Sequence, residues 1–505
     1  MSATRRELLF GSAGALAGLA SGQSPARRPN VLFVFSDQQQ ARTVSAYGPT
    51  PVRTPNIDRI AAQGCRFDNA ISIYPVCSPF RGMLMSGLYP MRNGVVGNDT
   101  PLSDGLPTFG KLFREAGYRA GYVGKWHLES TRTGFVPHRR RQGFDDFWAV
   151  HSCNHDHFDS PYYMEDPEHE LMHVGYEPDS QTKLAIDFVR KSVQSDTPFC
   201  LALSFGPPHN PYKAPAGNEA RFQPEDDIPL APNVQERALV DELLRTDTRP
   251  LSPAFRRQRE RARARLDDDG RIRREILRGY YGACEALDAC VGRLLASLDD
   301  FGVADDTIVV YTSDHGDMAG AHRMSLKQFP FEESIRVPFV IRYPCRIAAG
   351  GVTQTLLSPV DILPTLLSLS GIGFEAERFD GRDLSAAATD NAAELRGSVP
   401  IMKMVHGGNP WIQNGVRPWR GVRAQRHTYA ELEGEPWILF DNQEDPYQMA
   451  NLVGDHGHAG LRRKLQAEMR DWRERSGDTL TEAQIDAFRQ EQRRKFPGLP
   501  DGDLH

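Results

Sequence analysis

Acidic, basic and imidazole side chains follow directly after the short apolar runs of this chain, where they could take part in chemistry. After four of these runs come, in chain order, Asp37; Lys125 and His127; His209; and Asp314 and His315. If the runs are parallel strands, these side chains meet in one crevice, because ligands bind outside the carboxyl ends of strands in open α/β sheets. Any one of them could instead cap a helix or form a turn, but their recurrence after successive runs favours a single site.

The residue types of this predicted site suit a cation and an anion together. Asp37, Asp314 and His315 offer the oxygen and imidazole ligands that hold a divalent cation. We expect one cation, with two as an alternative, and prefer Ca²⁺ because oxygen ligands dominate and no CxxC pair is present among the seven cysteines. Positive charge can come from Arg81, Lys125, His127, His209 and Lys327. Such a density of positive charge is expected around a tetrahedral oxyanion.

The apolar runs and the segments between them predict the elements that carry this site. Short, β-branched runs at residues 31–35, 120–123, 199–204, 307–312 and 339–342 indicate strands. Apolar residues at helical spacing separate them, at residues 57–63, 108–116, 181–192 and 276–298. Strands that are buried on both faces and alternate with helices predict an α/β fold, with a large, mostly parallel sheet flanked by helices.

A change in composition at residues 371–398 predicts a linker between two domains. Beyond it, residues 419–424, 427–430 and 438–441 have the pattern of short strands, and residues 460–475 have that of a closing helix. We therefore expect a catalytic domain over residues 29–370 and a small sheet-plus-helix domain over residues 398–476. Residues 477–505 are polar enough to form a loosely held tail.

Charge and the N-terminal segment limit the partners and the location. The formal net charge is −6, from 60 basic and 66 acidic residues, which gives no reason to expect a nucleic-acid partner. Arg5 and Arg6 precede a weakly apolar stretch and small residues at 20–22, which is the order of a twin-arginine export signal. The stretch is shorter than the roughly 20 residues that span a bilayer. We expect residues 1–22 to be a signal peptide, and a periplasmic or secreted protein without a membrane span.

The segment around Cys77 makes the prediction specific. Residues 74–90 read YPVCSPFRGMLMSGLYP, with PNVLFVFSDQ upstream at 29–38 and GKWH downstream at 124–127. Further along the chain come PPH at 207–209, TSDHGD at 312–317 and Lys327. Together these segments resemble the type I, formylglycine-dependent sulfatases over residues 29–452, in the order that the family has them. The resemblance implies an alkaline phosphatase-like fold with a smaller C-terminal α+β domain, and hydrolysis of an organic sulfate ester.

The resemblance also assigns a nucleophile and a metal site. It implies that a formylglycine-generating enzyme oxidises Cys77 to 3-oxoalanine, and that Arg81 holds the hydrate of that aldehyde. The metal ligands that it implies are Asp37, Gln38, Cys77, Asp314 and His315. A hydrated aldehyde carries two hydroxyls on one carbon, so one can attack sulfur and the other can expel sulfate, which serine could not do.

Four basic residues take the remaining family roles. Lys125 and Lys327 would grip the sulfate oxygens. His209 or Lys327 would protonate the leaving alcohol, and His127 would take the proton that collapses the covalent intermediate.

One departure from the family keeps two alternatives open. The family often has two aspartates where this chain has Asp37 and Gln38, so an amide oxygen would be the second ligand. The phosphonate monoester hydrolases and choline sulfatases, a related subgroup, share this pair, which leaves phosphonate or phosphodiester hydrolysis as an alternative activity. A further alternative is a sulfated-glycan-binding protein in which Cys77 stays unmodified.

The substrate is expected to contact the least family-like stretch, at residues 148–163. This stretch and one later histidine offer side chains suited to stacking on and hydrogen-bonding a sugar ring: His151, His155, His157, Tyr162, Tyr163 and His322. Ten arginines at residues 256–278, with residues 138–141, form either a solvated, salt-bridged helical pair or a positive rim for a polyanion. We therefore expect a sulfated carbohydrate, either a monosaccharide sulfate or a polysaccharide fragment.

Overall fold

The computed structural model describes residues 28–129, 134–195, 197–235, 271–390, 395–405, 418–432 and 434–479, with single residues at 481, 483, 484 and 487. The predicted signal peptide and most of the arginine-rich stretch lie outside the described residues. The strands of the described part are β1 Asn30–Asp37, β2 Cys65–Ile71, β3 Arg119–Lys125, β4 Phe147–His151, β5 Pro161–Tyr162, β6 Leu171–Met172, β7 Phe199–Pro208, β8 Thr307–Ser313, β9 Arg336–Val337, β10 Phe339–Arg342, β11 Gly351–Leu357, β12 Ser398–Lys403, β13 Trp419–Ala424, β14 His427–Leu432 and β15 Glu435–Asp441.

Helices lie between most of these strands. The α-helices of the described part are α1 Pro55–Ala62, α2 Cys77–Ser86, α3 Pro90–Asn93, α4 Phe109–Glu115, α5 Glu177–Gln194, α6 Ala216–Ala220, α7 Arg271–Asp300, α8 Glu332–Ile335, α9 Pro359–Leu369, α10 Ser385–Thr389 and α11 Ala459–Arg475. None of the described helices has the length and apolar character needed to cross a bilayer.

A large mixed sheet forms the centre of the molecule. Its strands run in the order β11-β2-β10-β8-β1-β7-β3-β4, with β9 paired to β2. Strand β1 is parallel to both of its neighbours, β7 and β8, whereas β10 is antiparallel to β8 and to β2. The prediction of a large, mostly parallel sheet flanked by helices is confirmed.

The side chains of β1 explain why helices cover both faces of this sheet. All eight of its residues are buried. Phe33 and Phe35 belong to the core that includes Phe109 of α4, while Leu32 and Val34 belong to the core that includes Leu287 of α7. Because alternate residues of a strand point to opposite faces, a continuous apolar run is suited to a central strand between two helical layers.

A second, antiparallel sheet packs against one end of the first. It has the order β12-β13-β14-β15, and α11 packs on β12, β13 and β14. Its Trp419 and Phe440 share a core with Phe331 of the segment that precedes α8. A buried bidentate pair crosses the same junction, with Arg423 donating from Nε to Glu332 at 2.8 Å. The sheet and helix fall within the predicted small domain, whose boundaries remain a prediction.

Several elements lie outside the predicted strands and helices. Strand β2 was not predicted, because Asp68 and Asn69 interrupt its apolar pattern, although the strand is mostly buried. Helix α2 was not predicted either. Its first turn contains Pro79, and its ten residues are all buried, so the helix shows no polar face from which a helical period could be recognised.

Candidate active site

The nucleophile candidate and the acidic ligands come from three adjacent elements. Asp37 is the last residue of β1, and Asp314 follows β8, which pairs with β1 as far as Ser36 and Ser313. Cys77 is the first residue of α2. The carboxyl ends of two paired central strands therefore meet, in keeping with the pattern of polar residues, and the start of α2, which was not predicted, joins them.

Four ligand atoms in this crevice are close enough to share one ion. Donor atoms of Asp37, Cys77, Asp314 and His315 all lie within 4.8 Å of one another, and all four residues are buried. Cys77 Sγ is 3.3 Å from His315 Nε2 and 3.8 Å from Asp37 Oδ1. His315 Nδ1 lies 3.0 Å from the Gly316 carbonyl oxygen. If the ring donates its proton there, the Nε2 lone pair is left facing the group, as is usual for a metal-binding imidazole.

Arg81 holds the carboxylates of Asp37 and Asp314 in position. Its side chain is fully buried, and its Nη2 is 3.3 Å from both Asp37 Oδ2 and Asp314 Oδ2. Its Nη1 donates to the Lys125 carbonyl oxygen at 2.7 Å and to Ser204 Oγ at 2.8 Å. Arg81 therefore links β1, β3, β7 and the residue that follows β8 through hydrogen bonds and ion pairs.

The pKa values of Asp37 and Asp314 are shifted in opposite directions. Burial, and then the negative charge of Asp37, raise the pKa of Asp314 to about 6. Burial also opposes ionisation of Asp37, but Lys125 and the nearby histidines hold its pKa well below the usual range. The donor atoms that meet here include two carboxylate oxygens and an imidazole nitrogen, which are ligand types that hold a divalent cation. The donor set therefore fits a metal ion of this kind.

Two lysines approach the nucleophile candidate from different sides. Lys125 Nζ is 2.7 Å from Asp37 Oδ2 and 4.0 Å from Cys77 Sγ. Lys327 Nζ contacts the side-chain oxygen of Gln38 and lies 2.8 Å from His209 Nε2. Both lysines are buried, which for a charged side chain is expected only beside opposite charge or a bound anion. Their placement suits the grip on sulfate that was predicted for them.

His209 is held as an acceptor for Lys327. Its Nδ1 is 2.8 Å from the Asn210 carbonyl oxygen, so the ring proton belongs on Nδ1 and the lone pair of Nε2 faces Lys327. Burial and the charge of Lys327 lower the pKa of His209 well below its usual value. The two side chains therefore form one hydrogen-bonded unit, with Nε2 of His209 turned towards Lys327 Nζ at 2.8 Å.

His127 follows β3 and contacts the first turn of α2, next to Cys77. It has a left-handed backbone with φ +54°, and Ser78 Oγ of α2 donates to its carbonyl oxygen at 2.7 Å. Its Nε2 is 3.3 Å from Asp99 Oδ1. Although burial opposes protonation, Cys153 and Asp99 raise the pKa of His127 well above its usual value. These neighbours therefore favour the protonated, imidazolium form of His127.

Comparison with known proteins identifies the family of this site. Residues 29–372 match the family model described as Sulfatase, which is more than half of the chain. The chain belongs to the sulfatase family. Residues 320–475 of the sulfatase also match the model described as N-sulphoglucosamine sulphohydrolase, C-terminal. The protein is therefore a hydrolase of sulfate esters, as predicted.

Named relatives and a solved structure agree with this assignment. An ulvan-active sulfatase of Formosa agariphila is 35% identical over 454 residues, covering 88% of this chain and 81% of that protein. An N-acetylglucosamine-6-O-sulfatase of Bacteroides thetaiotaomicron is 28% identical over 494 residues, with coverage of 87% and 85%. A solved protein in complex with its substrate, D-glucosamine-2-N,6-O-disulfate, superposes with a TM-score of 0.76 at 26% identity, covering 90% and 99%. The alkaline phosphatase-like fold is confirmed.

The predicted substrate residues of the sulfatase lie in different surroundings. His155 is in the crevice, with its Nε2 3.5 Å from Lys125 Nζ and its ring stacked on that of His209 at 4.3 Å. His157 is buried and its Nε2 is 2.7 Å from the His209 carbonyl oxygen. His151 ends β4, and its ring centroid is 6.1 Å from that of Tyr163. The structure thus brings two of these histidines to the catalytic group of side chains.

The other predicted substrate residues make contacts elsewhere. Tyr162 stacks on His173 at 4.2 Å, and the Tyr163 hydroxyl donates to Glu170 at 2.6 Å. His322 is fully buried and stacks on Phe331 at 4.4 Å, next to the second sheet. A role for these three in substrate binding stays a prediction.

Two arginines assigned to a positive rim have a structural role instead. Arg140 is buried and paired with Glu129 and Asp104, and Arg141 is buried against Glu165 and over the Trp148 ring. Neither side chain is available to steer a polyanion.

Sequence reasoning missed three residues that shape the site. Asp99 contacts His127, and Cys153 Sγ lies 3.7 Å from His155 Nε2. Asp317 accepts from Gln38 Nε2 at 2.5 Å and from the Tyr212 hydroxyl at 2.7 Å. Asp317 could have been found, because it follows Asp314 in the same loop after β8. Asp99 lies in a loop with no strand directly before it, so no pattern marks it.

The contacts of Gln38 bear on its predicted role as a metal ligand. Its backbone N–H donates to Asp314 Oδ1 at 3.0 Å, and its side-chain oxygen accepts from Lys327. With Asp317 holding the amide nitrogen, Gln38 orients Lys327. Ligation of the metal by Gln38 stays a prediction.

Proposed function

We propose that this sulfatase removes sulfate from a carbohydrate sulfate ester, using Cys77 as formylglycine and one Ca²⁺ ion held by Asp37, Asp314 and His315. The observation that carries the proposal is the convergence on Cys77 Sγ of His315 at 3.3 Å and Lys125 at 4.0 Å, beside the Lys327–His209 pair. The sulfur marks the position that the oxygens of the hydrated aldehyde take after modification. The metal ligands, the two lysines that would bind sulfate and a proton donor thus lie around Cys77 Sγ.

The cation and the aldehyde each supply one kind of chemistry. A bound divalent cation lowers the pKa of an oxygen ligand and draws charge from a sulfate oxygen, and a hydrated aldehyde supplies a nucleophilic hydroxyl and a second hydroxyl on the same carbon. The protein residues do the rest. Lys125 and Lys327 bind sulfate oxygens, and Arg81 keeps Asp37 and Asp314 in position.

Two different groups would carry out the two proton transfers. As the bond from sulfur to the leaving oxygen breaks, the Lys327–His209 pair gives that oxygen a proton, so the product is a neutral alcohol. His127, in its neutral form, takes the proton of the second hydroxyl when sulfate departs. Asp99, 3.3 Å from His127 Nε2, stabilises the imidazolium that forms.

Carbohydrate is proposed as substrate because of what the relatives are named for. The relatives act on ulvan and on N-acetylglucosamine 6-sulfate by their names, and the solved complex holds a glucosamine disulfate. The crevice side chains His155 and Tyr212 suit contacts with sugar hydroxyls and ring faces.

The test uses protein co-produced with a formylglycine-generating enzyme. Sulfate release would be measured from sulfated mono- and oligosaccharides, and kcat/KM from an aryl sulfate, an aryl phosphonate and an aryl phosphate diester that share one leaving group. We expect the sulfate esters to be the best substrates, and chelation to abolish activity until Ca²⁺ is restored. Faster cleavage of the phosphonate or diester would support the alternative activity, and sulfate binding without turnover would support a binding protein.

We further propose that the enzyme is exported through a twin-arginine signal at residues 1–22. The support is the order of the arginines, the apolar stretch and the small residues. This route would carry a folded enzyme whose Cys77 was already oxidised. Fractionation of the host cell should find activity in the periplasm or medium, and Arg5→Lys with Arg6→Lys should keep it in the cytoplasm.

A further inference from the structure

The backbone that carries His209 is held by a buried histidine from another loop. His157 is 2% exposed, and its Nε2 lies 2.7 Å from the carbonyl oxygen of His209. A carbonyl oxygen can only accept, so His157 must carry a proton on Nε2 and donate it. This bond joins the loop after β4 to the loop after β7.

A buried carboxylate stands behind His157. Glu177, the first residue of α5, is 6% exposed, and its Oε1 is 3.7 Å from His157 Nδ1. Ser160 Oγ donates to Glu177 Oε2 at 2.7 Å, and the backbone N–H of Glu177 donates to the His157 carbonyl oxygen at 2.9 Å. Although burial opposes ionisation, His157 and Ser160 lower the pKa of Glu177.

The strand that leads to His209 leaves room for this carboxylate. Gly206 lies in β7, three residues before His209, and a Cβ atom built on it would overlap Glu177 Oε1. The next neighbour of that Cβ would be His157 Nδ1, at 3.5 Å. The absence of a side chain at Gly206 therefore lets Glu177 and His157 reach the start of the His209 loop.

The geometry of the Lys327–His209 pair depends on the same backbone. His209 Nδ1 is bonded to the Asn210 carbonyl oxygen at 2.8 Å, and Nε2 meets Lys327 at 2.8 Å. The His209 ring can turn only with its own loop, because both of its nitrogens are engaged. A shift of the His209 carbonyl would therefore move Nε2 relative to Lys327.

We propose that Glu177 and His157 are positioning residues that hold His209 against Lys327, so that this pair can protonate the leaving oxygen of the sulfate ester. The inference rests on the proposed function, in which the pair is the general acid. In this proposal Glu177 and His157 contact neither the reacting atoms nor the metal. They act through the backbone of His209.

A general acid matters most when the leaving group is a poor one. The dependence of the rate on the leaving group therefore reports on the acid, and a purely structural role would not change it. For aryl sulfates the logarithm of kcat/KM falls as the pKa of the leaving phenol rises, and the slope steepens when protonation is impaired. A variant that merely lowers the amount of folded enzyme reduces all rates by one factor. The slope therefore separates positioning from folding.

The experiment measures this slope for the formylglycine-containing full chain and for Glu177→Gln, His157→Asn and Gly206→Ala. We expect losses below about 3-fold for the best leaving group and roughly 10- to 100-fold for the poorest, the scale of a displaced general acid. His157→Gln should recover much of the loss, because its amide nitrogen can reach the position of Nε2 and donate. Gly206→Ala keeps every polar group and displaces only the Glu177 carboxylate.

The matched control is His169→Gln. His169 is a histidine of the same loop whose side chain is 79% exposed and paired with Asp166, outside the proposed chain of contacts. Its variant should keep the wild-type slope. His209→Ala is the reference for a lost acid.

The outcomes separate the inference from the proposed function. If His209→Ala steepens the slope but Glu177→Gln and His157→Asn do not, the positioning role is overturned and the general acid stands. If His209→Ala leaves the slope unchanged, the general acid itself is wrong, and the inference falls with it. Steeper slopes in all of these variants, with rescue by His157→Gln, are the expected result.

Discussion

The two sides of the active site are held by different kinds of structure. The nucleophile side, defined as Asp37, Cys77, Arg81, Asp314 and His315, sits on strand ends and on the first turns of α2, and its side chains are 0–2% exposed. The loop side, defined as residues 152–177, contains two strands of only two residues each. Its surface includes Met172 and Val174, which are 48% and 84% exposed.

This difference indicates how chemistry and substrate choice are divided. Side chains fixed by a packed sheet cannot move without disturbing the core, so the nucleophile side suits the invariant steps of sulfate transfer. A loop can change in sequence and length at little cost to the fold, and binding residues are often found on such loops. We therefore expect substitutions on the nucleophile side to affect the rate of chemistry. Those on the loop side, apart from His157 and Glu177, which hold His209, should affect affinity and substrate choice.

The largest effect is expected at the nucleophile. Cys77→Ala removes the thiol that the maturation enzyme oxidises, so no aldehyde can form and turnover should fall by at least about a thousandfold while the fold is retained. Sulfate release and circular dichroism would measure the two properties. Cys200→Ala is the matched control, a buried cysteine in β7 that should keep full turnover. Turnover in Cys77→Ala near that of the control would contradict the division proposed here.

A smaller loss of activity is expected at Lys327, one of the two lysines that would bind sulfate. Lys327→Ala removes a cation for sulfate and the proton source of His209, so kcat/KM should fall roughly 100- to 1,000-fold. Steady-state kinetics on an aryl sulfate would measure it. Lys183→Ala, on the exposed face of α5, should have no effect. Equal losses in the two variants would mean that Lys327 has no special role.

On the loop side a still smaller effect is expected. His155→Ala loses the stacked contact with His209 and the approach to Lys125, and a stacked pair contributes about 0.5–1.5 kcal/mol, or roughly 2- to 10-fold in kcat/KM. The kinetics should change more in KM than in kcat. His169→Ala, an exposed histidine of the same loop, is the control. A loss as large as that of Lys327→Ala would erase the distinction between the two sides.

The smallest effect on turnover is expected at the junction of the two sheets. Glu332→Gln breaks the buried pair with Arg423, which should cost roughly 3–5 kcal/mol of stability and leave kcat unchanged. Burial opposes ionisation of Glu332, but Arg423 lowers its pKa below the usual range. A lowered pKa contributes stability above the unfolded pKa of about 4.3, and this stability is lost as the pH falls.

The stability difference between wild type and Glu332→Gln should therefore be largest near neutral pH and shrink below about pH 4.3. Denaturant unfolding at several pH values would measure it. Arg190→Gln, which breaks an exposed pair with Asp187, is the control and should change stability little. A difference that grows as the pH falls would contradict the sign of the effect.

The sequence patterns predicted the central strands well and the loop contacts poorly. Residues 31–35 and 307–312 are continuous apolar runs, so β1 and β8 and the acids that follow them could be inferred from position alone. Strand β2 could not, because the adjacent polar residues Asp68 and Asn69 break its alternation of apolar and polar residues. Local patterns record burial on a regular element, and they carry little information where an element has polar residues on a covered face.

Contacts between distant loops were beyond such inference. A substrate contact of His157 stays a prediction, and no pattern indicated that its Nε2 faces the carbonyl oxygen of His209, 52 residues away. The aromatic and imidazole composition of residues 148–163 indicated a polar loop near the site without indicating which side chains face inwards. The orientation of each side chain depends on the packing of α5 and β7 against the loop, which no local pattern records.

The central claim is that Cys77 is the formylglycine nucleophile of a sulfatase, and peptide mass spectrometry across Cys77 tests it most directly. In protein co-produced with a formylglycine-generating enzyme, we predict that the peptide loses about 18 Da as an aldehyde replaces the thiol, and that sulfate release rises with the modified fraction. If Cys77 remained a thiol while the same maturation enzyme converted a control substrate, the formylglycine mechanism would be contradicted.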